Sequence, residues 1–191
     1  MDGYIIGLNI SPDSSDADFY MITIADHGHA PEKFVMHDGY IILFRSLADA
    51  DRVLRVAGMS DQVVIKSEED MLTVDINNVF FFLKEGSAGK NRTLLGFYNT
   101  FLDICREGGF TLPRNYKRIL YKFASHLMYE NDFEAFFSET KITRKQVIDA
   151  SLWLSGTLFA QTTFLESLLE SADDAPPPIT PALVEEPAEQ P

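Results

Sequence analysis

Apolar positions follow two different rhythms along this chain, and the change of rhythm falls near residue 90. Residues 3–10 (GYIIGLNI) and 18–25 (DFYMITIA) are rich in β-branched and aromatic residues. The SPDSSDA between them is dense in turn formers, so an antiparallel strand pair is predicted. A second pair is predicted at 33–36 and 40–44, joined through His37, Asp38 and Gly39, because Asp-Gly between apolar runs favours a tight hairpin turn. Ser46, with Asp49 three residues on, reads as a helix cap. That helix runs to about Ala57, with Ala50, Val53, Leu54 and Ala57 inward and Gly58 ending it. Residues 63–66 and 71–76 suggest a further hairpin about the acidic turn 67–70. The run 78–83 (NVFFFL) fits either period and is read as a helical turn or strand end.

Beyond it the spacing becomes helical. Leu94, Leu95, Tyr98, Phe101, Leu102 and Cys105 recur at intervals of three and four before Gly108 and Gly109. Pro113 suits a first helical turn, and Ile119, Leu120, Phe123 and Leu127 then mark a buried face. A short helix follows from Asp132 through Phe137. Residues 143–171 read as one long helix, opened by a Thr143/Gln146 capping box and apolar on most sides. Its one small polar stripe, Ser151, Ser155, Thr162 and Glu166, is open to water, to a packed neighbour or to a second copy. The expected class is α+β: a mainly antiparallel N-terminal sheet with a covering helix, then a bundle-like helical layer. The expected division is 1–90, 91–171 and a tail at 172–191.

Composition changes the picture at the tail. Six of the nine prolines lie in the last 16 residues, with Glu and no Lys or Arg, so disorder is expected there. The net charge of −13 is unevenly spread: 7 basic against 15 acidic residues in 1–90, 9 against 9 in 91–171, and none against 5 in 172–191. That balance disfavours nucleic acid as a partner. The single cysteine, Cys105, excludes an intrachain disulfide and sits in an apolar run, where a small core residue is expected. With no signal-peptide pattern at the start, the expected location is the cytoplasm. Residues 147–165 approach membrane-spanning length, but Asp149, Gln161, Thr162 and Thr163 interrupt them, and no membrane association is expected.

Several groups carry possible chemistry. Asp26, His27, His29, His37 and Asp38 lie where two hairpins can bring them together, and His27, His29 and His37 are the candidate metal ligands. Gly28 suggests a turn instead, and the spacing lacks the helical His-Glu-x-x-His signature. GSAGK at 86–90 fails as a phosphate loop, since Lys84 and Asn91 stand where Gly and Ser or Thr are required. Asp13, Asp16 and Asp18 do not match a calcium loop. His126 and Glu130 are one turn apart, as a base and its orienting carboxylate would be, or as an ordinary exposed pair. Arg114, Lys117, Arg118, Tyr121 and Lys122 follow i, i+3, i+4, i+7 and i+8, forming one basic helical stripe that Lys141, Arg144 and Lys145 extend. Such a stripe is a solvated face, a dock for an acidic protein or for this chain's own acidic half, or a nucleic-acid surface.

No catalytic motif and no cofactor fingerprint appears. The leading expectation is a non-enzymatic, cytosolic protein that binds another protein or itself, with a homodimer through the C-terminal helices as one form. The alternative is a small-ligand or metal-dependent enzyme centred on Asp26, His27, His29 and His37. For that alternative, zinc or manganese should raise the thermal midpoint, and a His27→Ala/His29→Ala variant should lose the effect. No shift in either protein removes the metal site.

Overall fold

Ile6 and Leu8 on one side of the first strand and Ile5 on the other are all buried, so this strand has no water-facing side along its centre. The computed structural model describes residues 1–11, 16–26, 33–66, 71–86, 91–130 and 133–173. Strand β1 (Asp2–Asn9) pairs antiparallel with β2 (Phe19–Ala25), from Asp2 opposite Ala25 to Leu8 opposite Phe19. The Asp18 carboxylate accepts the N–H groups of Ile10 (2.7 Å) and Ser11 (2.8 Å) where the chain leaves and re-enters the pair. Those two donors hold its pKa below the usual carboxylate value.

Strand β3 (Lys33–Phe34) adds to β2, and the Val35 N–H reaches the Ile22 carbonyl at 2.9 Å. Strands β4 (Met36–His37) and β5 (Tyr40–Leu43) then form the expected hairpin. Its two turn residues, Asp38 and Gly39, have φ of 49° and 83°, the left-handed pair of a type I′ turn. The two sheets meet where Tyr20 and Phe44 exchange backbone hydrogen bonds of 2.8 and 3.0 Å.

The hairpin expected from 63–66 and 71–76 does not form. Strands β6 (Val64–Ile65) and β7 (Leu72–Asp75) both lie parallel to β1, β6 against Asp2 and Gly3 and β7 against Ile6 to Asn9. Pairing with each other would leave that edge of β1 bare, with its N–H and C=O groups unmatched. Gly3 permits the close approach: a Cβ there would sit 2.8 Å from Val63 and 2.9 Å from Ile65. The fold is α+β in character as expected, with antiparallel β1–β2–β3 pairing joined at the other edge of β1 by two parallel strands.

Ser46 caps a single 3-10 turn (Leu47–Asp49) that runs into α1 (Ala50–Val56), burying Ala50, Val53 and Leu54 as expected. The ambiguous 78–83 run is helical, within α2 (Ile76–Glu85), because the Asp75 carboxylate caps it by accepting the Asn78 N–H at 2.9 Å. Helices α3 (Asn91–Glu107), α4 (Arg114–Tyr129) and α5 (Phe133–Glu139) follow.

The single long helix expected over 143–171 is two helices separated by a strand. Helix α6 (Arg144–Ala160) opens with the Thr143/Gln146 capping box and stops at Gln161. The Gln161 carbonyl accepts the Ile41 N–H at 2.9 Å, and β8 (Thr162–Phe164) then pairs parallel with β5. Two threonines and a phenylalanine suit a pleated edge better than a helix interior, and β5 offers them a free edge. Helix α7 (Leu165–Asp173) follows. Ser151 and Ser155 are buried inside the chain, so the small stripe is not left for a second copy, and Thr162 and Glu166 do not continue it.

Two cores lie on opposite faces of this layer. Ile6, Leu8, Met21, Ile41, Leu43 and Val74 face the core built with α2 to α6. Ile5, Ile22, Ile24, Ile42 and Phe44 face the core built with α1 and α7. Residues from 1–90 and from 91–171 contribute to both. The larger core contains one polar chain: the Tyr98 hydroxyl and Ser151 Oγ are 2.7 Å apart, and Ser151 Oγ donates to the Val147 carbonyl at 2.8 Å. Ser151 has one proton, so Tyr98 is the donor to it. Burial raises the Tyr98 pKa far above the ordinary phenol value. Ser151→Ala strands a buried hydroxyl and should cost about 1–3 kcal/mol, whereas Tyr98→Phe should cost about 0.5–1.5 kcal/mol. Adding Tyr98→Phe to Ser151→Ala should recover part of the loss in urea denaturation; equal single losses without recovery contradict this assignment.

Candidate functional site

Helix α4 carries the candidate site on its outer side because its inner side is fully committed to the core. Pro113 precedes its first turn and accepts the Lys117 N–H at 2.9 Å. Ile119, Leu120, Phe123, Ala124 and Leu127 are buried at helical spacing. Phe123 lies 5.4 Å from Tyr98, 4.9 Å from Phe136 and 5.7 Å from Phe133 between ring centroids, which fixes the helix in rotation. The opposite face then follows from the helical period: Arg114, Lys117, Arg118, Tyr121 and Lys122 are all exposed. None of the four cations has an ion-pair partner among the described residues. Lys117 Nζ lies 5.8 Å from the Tyr121 ring, the outer limit of a cation–π contact.

The same face continues beyond the stripe read from sequence. Met128 is 53% and Tyr129 80% exposed, and they stand seven and eight residues after Tyr121. Their spacing was legible, but a reading keyed to charge stopped at Lys122. The face thus has a basic half at the helix start and an apolar half at its end.

The expected extension by Lys141, Arg144 and Lys145 holds only for exposure of the two lysines. Arg144 is instead a structural anchor. Its guanidinium donates to both Glu134 carboxylate oxygens at 2.6 Å and to the Leu83 carbonyl at 3.0 Å. It also lies over Phe133 (5.1 Å) and Phe137 (4.9 Å), tying α2, α5 and α6 together.

Beside the first turn of α4, Tyr116 stacks 6.1 Å from Trp153 of α6. They border an open groove of about 580 Å³ with Leu152, Gly156 and Ala160. Leu152 and Trp153 are 54% and 46% exposed.

The histidine cluster is only partly described. His37 and Asp38 sit at the β4–β5 turn, with His37 Nε2 3.6 Å from Asp38 Oδ2, beside a cleft of about 650 Å³ also bordered by Tyr40, Thr163, Leu168 and Leu169. Asp26 is exposed just past β2; His27 and His29 lie outside the described residues, as do Asp13, 87–90 and 174–191. Among the described residues no three His, Cys, Asp or Glu side chains converge to hold a metal. His126 packs its ring 5.3 Å from Phe136, and the Glu130 N–H caps the helix end on the His126 carbonyl at 2.8 Å. Cys105 is buried, and burial pushes its thiol up to about 11, so it stays protonated at neutral pH.

The chain matches no protein-family model, no curated protein and no solved structure. Among the described residues no helix is long and apolar enough to cross a membrane.

Proposed function

We propose that this protein is a non-enzymatic, cytoplasmic binding module whose outer α4 face docks an acidic, partly apolar segment of a protein partner. The observation that carries this reading is the face itself. Four exposed cations without ion-pair partners among the described residues adjoin three exposed large side chains, Tyr121, Met128 and Tyr129, on one helix of a chain with net charge −13. Magnitudes assign the roles. Exposed ion pairs contribute about 0.2–1 kcal/mol each, while burying a large apolar side chain contributes about 1.5–3 kcal/mol. The apolar half therefore supplies most of the affinity, and the basic half orients the partner and speeds encounter.

Two side chains with reactive protons, Cys105 and Tyr98, are closed off from any substrate. The thiol of Cys105 is protonated and buried, and the Tyr98 hydroxyl is sealed among aromatic rings. Nucleic acid competes for the same cations, and it would depend on them more heavily than on Met128 and Tyr129.

A fluorescein-labelled peptide of alternating Glu and Leu pairs is the probe. Its affinity should fall at least about tenfold between roughly 50 and 500 mM salt. Arg118→Glu/Lys122→Glu should weaken binding at low salt and remove most of its salt dependence, and Met128→Ala/Tyr129→Ala should weaken it further than that and at every salt concentration. Salt-independent binding, equal binding of a Gln-for-Glu peptide, or tighter binding of a single-stranded oligonucleotide overturns the reading.

A further inference from the structure

We propose that the outer edge of β7, with the groove between it and α3, takes an extended acidic segment of a partner protein as one further strand of the sheet. No residue of the outer α4 face takes part.

Backbone directions along β1 decide which groups of β7 are left over. The Gly3 carbonyl accepts the Lys66 N–H at 2.8 Å, so Gly3 directs its polar groups toward β6. In β2, Tyr20 and Ile22 turn theirs away from β1, toward Phe44 and Val35. Their opposite numbers in β1, Gly7 and Ile5, therefore also point to the β6 and β7 side. Gly7 stands opposite Thr73, and in a parallel ladder it bonds to the residues flanking that partner, Leu72 and Val74. Thr73 and Asp75 are left with N–H groups directed outward, and Thr73 with its carbonyl as well. Among the described residues β7 pairs with β1 alone, so no described strand meets these groups. An extended backbone lying alongside matches them, and four residues of edge are about 13 Å long at 3.3 Å per residue.

The far wall of the groove defines the occupant. Its volume is about 260 Å³, and all of β7 lines it together with Arg92, Thr93, Gly96 and Phe97 of α3. Gly96 lies inside a 17-residue helix, where glycine is less stable than alanine, and a Cβ there would meet nothing within 4 Å. The missing side chain leaves room beside Phe97 and the 47% exposed Leu72 for a small apolar group. Arg92, one turn earlier, is exposed and has no ion-pair partner among the described residues. The Asp75 carboxylate is engaged elsewhere, accepting the Asn78 N–H at 2.9 Å and the Asn78 side-chain amide at the start of α2. One helical turn is about 5.4 Å, close to the roughly 6.6 Å between alternate residues of a strand. A segment with an acidic and a small apolar residue two positions apart therefore meets Arg92 and the Gly96 recess together. A second copy's β7 would bring its own α3 into the same space, so a segment without a helix beside it is the occupant that fits.

The probe is the fluorescein-labelled peptide Thr-Glu-Thr-Val-Thr-Glu, titrated into the full chain and followed by anisotropy. In the complex the amide signals of Thr73 and Asp75 should shift and exchange more slowly. N-methylation of alternate peptide nitrogens should weaken binding at least about tenfold in one phase and less than about twofold in the other. Gly96→Leu should fill the recess and weaken binding at least about tenfold, with the thermal midpoint unchanged or raised. Arg92→Gln should weaken the peptide but not its Gln-for-Glu form. Arg118→Glu/Lys122→Glu should leave the affinity unchanged. No binding at about millimolar peptide overturns the proposal, as do equal effects of the two methylation phases or full affinity in Gly96→Leu. Loss of binding in the α4 variant also overturns it, by assigning the peptide to α4. Protection of the Thr73 amide that grows with protein concentration in the absence of peptide overturns it in favour of pairing between copies.

Discussion

Both faces of one β layer are apolar, and the rest of the chain is arranged to cover them. In β1, β2 and β5, successive side chains enter opposite cores: Ile41 and Leu43 on one side, Ile42 and Phe44 on the other. A sheet with one wet face needs a single covering layer, but this one needs two. Helices α2 to α6 cover one side and α1 and α7 the other. The last two elements therefore have to pass from one side of the layer to the other, and β8 is where they do so. It joins the edge of β5, leaving α6 in the larger core and α7 in the smaller, with Leu165 buried at the crossing. Arg45 steadies this crossing from outside, lying 4.9 Å from the Phe19 ring and 5.6 Å from the Phe164 ring and 3.6 Å from Glu166.

The same constraint produces the candidate site. The larger core is rich in aromatic rings, and α4 contributes Phe123 to its centre, so the helix cannot roll without breaking its edge-to-face contacts with Tyr98, Phe133 and Phe136. Its outer face is thereby presented in one orientation, and a rigid face saves a partner the entropy of ordering it. Arg144 has the opposite role. Although it is one of the basic residues near this region, its charge is satisfied by Glu134 and its plane by two phenylalanines, so it works for the fold. Charge sign alone does not separate these roles; the burial and partners of each cation do.

Local features were legible in the sequence. The β-branched and aromatic runs at 3–10 and 18–25, the Asp38-Gly39 turn, the Ser46 cap, the Thr143/Gln146 capping box and the inward face of α4 all depend on neighbours within a few residues. Non-local pairings were not. Residues 71–76 look equally fit to pair with 63–66, and only the bare edge of β1 decides against it. Thr162, Thr163 and Phe164 lie in a helical rhythm, and only β5, more than a hundred residues earlier, draws them into a strand. The basic stripe of the site was legible from its spacing. Its apolar end was missed because Met128 and Tyr129 carry no charge, and the groove beside Trp153 because an apolar residue on a helix is ordinarily counted as core.

The crossing at β8 is the point on which this arrangement rests, and backbone carbon chemical shifts over residues 158–168 test it most directly, read together with amide exchange at Ile41. Helical shifts should run through Leu158, turn to strand values at Thr162, Thr163 and Phe164, and return to helical values after Leu165, with the Ile41 amide protected by its bond to Gln161. Unbroken helical shifts through all of these residues, with a rapidly exchanging Ile41 amide, would contradict the two-sided layer and the placement of every helix that depends on it.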